Sequence, residues 1–172
     1  MSQKRLIVFA GRPGAGKTTL ARALATEFGA FHLRIDSIED GLRASALNIT
    51  DLMDGGYAVG RELATDALLM GHLVVVDAVN PDRECRQGWD AVASDTEAEI
   101  NWVFVTCSDA DEHRRRIAER HQSGRKRGAD WSEISTRNVE GPGKDWLTVD
   151  TADMSSNEAA THIAKALQIS RR

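Results

Sequence analysis

Five short hydrophobic segments recur along the chain, and more polar stretches separate them. Most of these segments are continuous runs of Val, Ile, Leu or Phe that do not alternate with polar residues. Continuous runs are typical of parallel strands covered on both faces, whereas alternation is typical of strands with one solvated face. We therefore predict five buried parallel strands, over residues 5–10, 32–36, 73–78, 101–107 and 146–151.

The stretches between these strands carry helical signals. Residues 18–28 and 61–70 repeat apolar positions at helical spacing, and each stretch ends near a glycine. Pro81 suits the first turn of a further helix, and Ser155 with Glu158 has the spacing of a capping box. Strands that alternate with helices predict an α/β fold with three layers, α/β/α, in a single domain that spans the chain.

Composition and charge narrow the function classes. The chain has 172 residues and a formal net charge of -4, which disfavours tight non-specific binding to nucleic acid. No apolar run approaches the ~20 residues that a transmembrane helix needs, so we predict no membrane contact. Cys85 and Cys107 lie far apart without metal-ligand spacing, which favours free thiols and a cytoplasmic location.

A glycine-rich segment follows the first strand directly. Residues 11–18 match the phosphate-binding pattern G-x-x-x-x-G-K-[ST] at every fixed position, between a predicted strand and a predicted helix. Glycines allow the backbone amides to point at phosphate oxygens, and the helix N-terminus adds positive potential. We predict that this P-loop binds ATP or GTP through Gly14, Ala15, Gly16, Lys17, Thr18 and Thr19.

Within the P-loop, Lys17 is expected to contact the β- and γ-phosphates and Thr18 to ligate Mg²⁺. The rest of the chain lacks the Asn-Lys-x-Asp motif of Ras-like GTPases and the Leu-Ser-Gly-Gly signature of transporter ATPases. It is also short for an AAA+ module with its own helical lid domain. These exclusions leave the small phosphotransferases.

Asp36 ends the second predicted strand, at the sheet edge where parallel α/β folds bind ligands. A kinase needs a group there that orients the acceptor hydroxyl and accepts its proton, so we predict a catalytic, substrate-binding role for Asp36. The alternative is that Asp36 only caps the next helix. Arg34 and Arg43 are expected acceptor contacts, with ordinary surface arginines as the equal alternative.

Asp77 ends the run Leu-Val-Val-Val-Asp, which has the shape of a Walker B strand. Its expected function is to hold Mg²⁺ through water. Asn80 follows closely, and we consider it as a weaker candidate for positioning phosphate or acceptor.

One segment of the chain is strongly basic. Residues 112–128 carry a net charge of +5, which leaves -9 on the rest of the chain. Arginines near a transferring phosphoryl group stabilise its charge, so we predict a basic lid over residues 112–140 with catalytic Arg120, Arg125 and Arg127. A solvated helix face and a nucleic-acid patch are the alternatives. The five histidines show no metal spacing and are expected on the surface or in the core.

With these motifs, the chain resembles the P-loop kinases that include chloramphenicol phosphotransferases, zeta toxins and the 5'-kinase domain of polynucleotide kinases. Many bacterial predicted kinases described as AAA-family ATPases share this layout. The resemblance rests on the Walker A segment, on residues 35–38, on residues 77–83 and on residues 149–151. It implies a sheet with the strand order 2-3-1-4-5 and a general base at Asp36.

Together, these features predict a Mg²⁺-dependent transfer of the γ-phosphate of ATP or GTP to a hydroxyl of a small molecule. Sugars, nucleosides and hydroxylated antibiotics all remain as acceptors. One alternative is a kinase that acts on the 5'-hydroxyl of a nucleic acid, which residues 77–83 favour and the net charge disfavours. The other is a nucleotide-dependent switch that binds a partner protein.

Overall fold

The computed structural model describes residues 4–122 and 131–169, with side chains given for all but residues 121 and 122. A five-stranded, all-parallel sheet has the order β2-β3-β1-β4-β5, which confirms the predicted architecture. The strands are β1 (Arg5–Ala10), β2 (Phe31–Arg34), β3 (Leu73–Asp77), β4 (Glu99–Thr106) and β5 (Leu147–Asp150).

Helices cover both faces of this sheet. They are α1 (Lys17–Phe28), α2 (Ile35–Ala44), α3 (Gly55–Leu69), α4 (Arg83–Thr96), α5 (Ala110–Gln122), α6 (Trp131–Thr136) and α7 (Ser156–Ala166). Ser155 and Glu158 form the predicted capping box at the start of α7. No helix in the described part of the chain is long and apolar enough to cross a membrane.

The position of the central strand β1 between two hydrophobic cores explains why its sequence is continuously apolar. Ile7 and Phe9 pack into a core shared with α1 and α7, whereas Leu6 and Val8 pack into a second core with α3 and α4. All four side chains are fully buried. Because successive side chains of a strand point to opposite faces, a strand between two cores needs apolar residues at every position.

Two predicted boundaries are wrong in ways that affect the site. β2 ends at Arg34, two residues before the predicted end at Asp36, and the chain enters α2 at Ile35. α3 begins at Gly55, earlier than predicted, although its first six residues include three glycines, which have low helix propensity. Tertiary packing favours this helix, because a Cβ atom on Gly60 would lie 2.5 Å from Ile35 Cδ1.

Candidate active site

The backbone of the P-loop depends on two of its glycines. Gly14 and Gly16 have φ angles of 83° and 100°, in the left-handed region that favours glycine. A Cβ atom on Gly14 would also lie 2.8 Å from Ile117 of α5. The loop is therefore shaped by its own glycines and by close contact with α5.

Lys17 is the first residue of α1, and only 7% of it is exposed. Its Nζ donates hydrogen bonds to the carbonyl oxygens of Gly11 (2.7 Å) and Arg12 (2.9 Å). Burial lowers the pKa of Lys17 from 10.5 to about 8, although the charges of Asp77 and Asp36 oppose that shift. The ammonium group is therefore held by two carbonyl oxygens of the P-loop, within the electrostatic influence of two carboxylates.

Asp77 ends β3 and is almost fully buried. Burial raises the pKa of its carboxyl, but hydrogen bonds from His32 and Thr18 and the charge of Lys17 outweigh burial and hold the pKa below its usual value. The His32 Nε2 atom lies 3.4 Å from Asp77 Oδ2. The Thr18 hydroxyl therefore donates a hydrogen bond to the Asp77 carboxylate, and the hydrogen bond from His32 was not predicted.

Asp36 is the second residue of α2 and not the end of a strand, which corrects its predicted position. Its carboxylate accepts a hydrogen bond from Arg34 Nη2 at 2.5 Å, and 55% of its side chain is exposed. No side chain caps the start of α2, so Asp36 is not the cap of this helix, and the Ser37 hydroxyl accepts a hydrogen bond from Arg34 at 3.1 Å. Asp36 is therefore exposed to a ligand and is held by a guanidinium.

Arg34 links the two carboxylates of the site. Its Nη2 binds Asp36, and its buried Nε lies 3.6 Å from Asp77 Oδ2 without a hydrogen-bond partner. Arg34 and Asp36 lie close together because Arg34 is the N-cap residue of α2 and Asp36 lies in its first turn. Arg43 lies in the last turn of α2 and forms an ion pair with Glu39 at 3.2 Å.

These groups line one cleft of about 1230 Å³. Its lining comes from the P-loop, from a wall formed by α2 with Arg34, and from a basic wall formed by α5 with the segment after α6. The cleft therefore brings together Lys17, Thr18, Asp36 and Asp77, as the sequence predicted, although these residues come from three separate segments.

The basic wall is only partly described. Arg120 of α5 lines the cleft, and its charge lowers the pKa of Lys17, as does that of Arg137. Arg125 and Arg127 lie outside the described residues. Arg137, directly after α6, was not predicted as a site residue, because nothing in its sequence context separates it from other exposed arginines.

His113 is a further residue that sequence reasoning missed. It is buried in α5, and its Nε2 lies 2.8 Å from the carbonyl oxygen of Pro13 in the P-loop. Because that carbonyl can only accept, His113 Nε2 donates. The indole of Trp131 packs edge-on against the imidazole, with ring centroids 5.3 Å apart. His113 therefore ties the P-loop to α5 and α6.

A second tie to the P-loop comes from the end of β5. Thr151 is buried and donates its hydroxyl hydrogen to Ala15 O at 2.8 Å. The guanidinium of Arg116 donates to the Thr151 hydroxyl and carbonyl oxygens, each at 2.8 Å. These contacts hold α5 and β5 against the same loop.

Asn80 is not available to a ligand, which corrects the weaker hypothesis for it. Its side chain is fully buried, donates to Phe9 O at 2.6 Å and accepts from Trp89 Nε1 at 2.9 Å. Its φ angle is 46°, a conformation that asparagine tolerates better than most residues. Asn80 therefore fixes the turn after β3 and stabilises the core.

Comparison with known protein families identifies the family of this chain. A family model described as an AAA domain, AAA_33, matches residues 6–140, which include the P-loop, Asp36, Asp77 and Arg137. The chain belongs to this AAA-domain family. A search of curated proteins finds no significant match.

Solved structures similar to this AAA domain include several kinases. A candidate kinase from Chloroflexus aurantiacus has a TM-score of 0.77 and 23% identity, with 98% of each chain covered. The APS kinase CysC of Mycobacterium tuberculosis, in complex with AMPPNP and APS, has a TM-score of 0.70 and 23% identity over 96% of this chain and 98% of that one. A sugar kinase from Janibacter sp. HTCC2649 has a TM-score of 0.68 and 17% identity, covering 97% and 96%. At these identities the likeness establishes a shared fold.

Proposed function

We propose that this AAA domain is a Mg²⁺-dependent kinase that transfers the γ-phosphate of ATP or GTP to a hydroxyl of a small molecule. One observation carries the proposal. The exposed Asp36 carboxylate lies in the same cleft as the P-loop, close enough that its charge offsets part of the lowering of the Lys17 pKa by burial. A protein that only hydrolyses or senses a nucleotide has no need for an acceptor base at that position.

In the proposed reaction, Asp36 acts on the acceptor hydroxyl, and the basic residues of the cleft act on the transferring phosphoryl group. Asp36 orients the acceptor hydroxyl and accepts its proton as that oxygen bonds to the γ-phosphorus. The bond from the γ-phosphorus to the bridging oxygen breaks, and the nucleoside diphosphate leaves. Lys17 and Arg120 stabilise the negative charge on the transferring oxygens, and we add Arg137 to this group because it lines the same cleft.

The residues present fit a magnesium ion that is held mainly by the nucleotide. No group of three or more His, Cys, Asp or Glu residues in the described ranges could hold a metal by itself. Mg²⁺ usually keeps several waters and binds through one or two protein groups and substrate phosphates. Thr18 would supply a hydroxyl ligand, and Asp77 would hold a metal-bound water. When bound, the ion neutralises charge on the β- and γ-phosphates.

The nature of the acceptor is the finer part of the proposal. The resemblance to chloramphenicol phosphotransferases, zeta toxins and polynucleotide kinases supports a hydroxyl acceptor without selecting one. APS and a sugar are the compounds named with two structures of similar fold, which supports a small-molecule acceptor. A cytoplasmic location belongs to the same proposal, because two free thiols favour a reducing compartment.

The test is release of nucleoside diphosphate with Mg²⁺ and either ATP or GTP. The acceptor panel contains sugars, nucleosides, hydroxylated antibiotics and an oligonucleotide with a 5'-hydroxyl end. We expect one small-molecule class to raise the release rate, with a product heavier by one phosphoryl group in mass spectrometry. Release that no acceptor changes, with no phosphorylated product, contradicts the proposal and favours a nucleotide switch. Phosphorylation of the oligonucleotide alone favours the 5'-hydroxyl kinase.

A further inference from the structure

The cleft wall formed by α2 and Arg34 is lined by charged residues alone. The residues of α2 and its N-cap that line the cleft are Arg34, Asp36, Glu39, Asp40 and Arg43. Positions 36, 39, 40 and 43 fall on one face of a helix, because residues three or four apart are neighbours. None of the apolar residues of α2 reaches the cleft.

Most of these charges are already paired with one another. Arg34 binds Asp36 at 2.5 Å, and Arg43 binds Glu39 at 3.2 Å. The Glu39 and Arg43 side chains are only 24% and 28% exposed, so this ion pair is partly shielded from water. The wall therefore offers fixed hydrogen-bond donors and acceptors side by side, with little net charge to attract an ion.

The position of Glu39 is set by packing against α3. A Cβ atom on Gly56 would lie 2.5 Å from Glu39 Cγ, so the stem of Glu39 occupies the space that a larger residue would fill. A Cβ atom on the neighbouring Gly55 would have no atom from another part of the chain within 4 Å. The close approach at Gly56 is thus specific to the residue that supports Glu39.

From this arrangement we infer that the Glu39–Arg43 pair binds the acceptor and that the acceptor is a neutral polyhydroxylated compound, a sugar or polyol. A hydroxyl both donates and accepts, so it can bond a carboxylate and a guanidinium without separating them. An anionic acceptor that approached Arg43 would also meet the carboxylates of Glu39 and Asp40, which repel it. An apolar acceptor would bury these charges without hydrogen bonds, which is costly.

This inference rests on the proposed kinase activity, and acceptors matched in size but not in charge test it. The panel pairs D-glucose with D-gluconate and D-glucosamine, D-ribose with D-ribonate, and adds sorbitol and myo-inositol, with chloramphenicol as the apolar hydroxyl compound. We expect kcat/KM for a neutral polyol to exceed that of every charged or apolar compound by at least about tenfold, the effect of one lost charge-assisted hydrogen bond.

The outcomes separate the two proposals. Phosphorylation of an acid, an amine or chloramphenicol in preference to every neutral polyol overturns the acceptor class and leaves the kinase activity standing. Absence of a phosphorylated product from any compound counts against both. A neutral polyol as the best acceptor supports both.

Two adjacent glycines provide a matched pair of variants. With the best neutral acceptor, Gly56→Ala should raise the acceptor KM about tenfold by displacing Glu39, whereas Gly55→Ala should leave it unchanged. Arg43→Met keeps the aliphatic stem and should raise the acceptor KM by a similar factor. In both Gly56→Ala and Arg43→Met, the nucleotide Kd from calorimetry should stay within twofold of wild type.

Two results with these variants would overturn the inference. If Arg43→Met leaves the acceptor KM unchanged, the Glu39–Arg43 pair does not bind the acceptor and the inference is wrong. If Gly55→Ala and Gly56→Ala raise KM equally, the effect belongs to α3 as a whole and the inference is again overturned. Circular dichroism and urea midpoints identify any variant whose fold is damaged.

Discussion

We expect the buried charge of Lys17 to destabilise the folded protein when no nucleotide is bound. Its pKa of about 8, against an ordinary 10.5, corresponds to about 3 kcal/mol against folding at neutral pH, because the buried charge is poorly solvated. Lys17→Met removes this cost. It also removes two hydrogen bonds to carbonyl oxygens, which contribute about 1 kcal/mol each. We therefore expect the variant to be about 1 to 3 kcal/mol more stable at pH 7 and unable to bind nucleotide.

The pH dependence of this gain has a defined sign. Between pH 8 and 10.5 the folded protein holds fewer protons on Lys17 than the unfolded chain does. The stability of wild type therefore rises with pH across this window through this group, and that of Lys17→Met does not. The advantage of the variant should be largest at pH 7 and should shrink toward pH 10.

The assay is urea unfolding, followed by circular dichroism, at pH 7, 8, 9 and 10 without nucleotide. Lys165→Met, which changes an exposed lysine of α7, controls for the general effect of losing one positive charge. A Lys17→Met variant that is less stable than wild type at pH 7 refutes the reasoning. So does a stability difference that stays constant from pH 7 to pH 10.

Three further predictions concern the residues around the P-loop. His113→Leu should weaken ATP binding about fivefold in calorimetry, because one hydrogen bond of about 1 kcal/mol no longer holds Pro13. His113→Gln should restore part of the lost affinity, because its side-chain amide can donate to the same carbonyl oxygen. An unchanged Kd in His113→Leu would contradict this. Asn80→Ala should lower the free energy of unfolding, measured in urea, by about 2 to 4 kcal/mol, because Trp89 Nε1 loses its buried acceptor. A loss under about 1 kcal/mol would contradict this prediction. Asp77→Asn should raise the Mg²⁺ concentration for half-maximal activity about tenfold, the loss expected for a group that holds a metal-bound water.

The sequence was informative wherever function depends on local pattern. The P-loop is a contiguous segment whose glycines, lysine and threonine have fixed spacing, so its position between β1 and α1 could be predicted without any tertiary information. The buried parallel strands could be predicted for a similar reason, since continuous apolar runs report burial on both faces. Asp77 follows from the same pattern, as a polar residue at the end of such a run.

The remaining site residues depend on contacts between distant segments. His113 reaches Pro13 across 100 positions of sequence, and no local pattern distinguishes it from the other histidines. Arg137 enters the cleft through the path of the chain after α6. The end of β2 was misjudged because Leu33 and Ile35 alternate with polar residues as in a strand, although the backbone already turns into α2 at Ile35. The glycines of α3 were misjudged because packing against α2 outweighs low helix propensity.

The most direct test of the kinase proposal compares Asp36→Asn with Asp111→Asn. Both are the second residue of a helix, but Asp111 does not line the cleft and 93% of its side chain is exposed. The two changes therefore have the same effect on helix charge, and they differ at the site. The measurement is single-turnover formation of the phosphorylated acceptor, identified by mass spectrometry, together with the nucleotide Kd.

We predict that Asp36→Asn loses at least about a hundredfold in the rate of phosphoryl transfer, the lower range for a positioned proton acceptor. Its nucleotide Kd should stay within about threefold of wild type, because Asp36 contributes only a long-range charge to the P-loop lysine. Asp111→Asn should match wild type in both quantities. Wild-type transfer by Asp36→Asn would contradict the central claim that this carboxylate activates the acceptor hydroxyl.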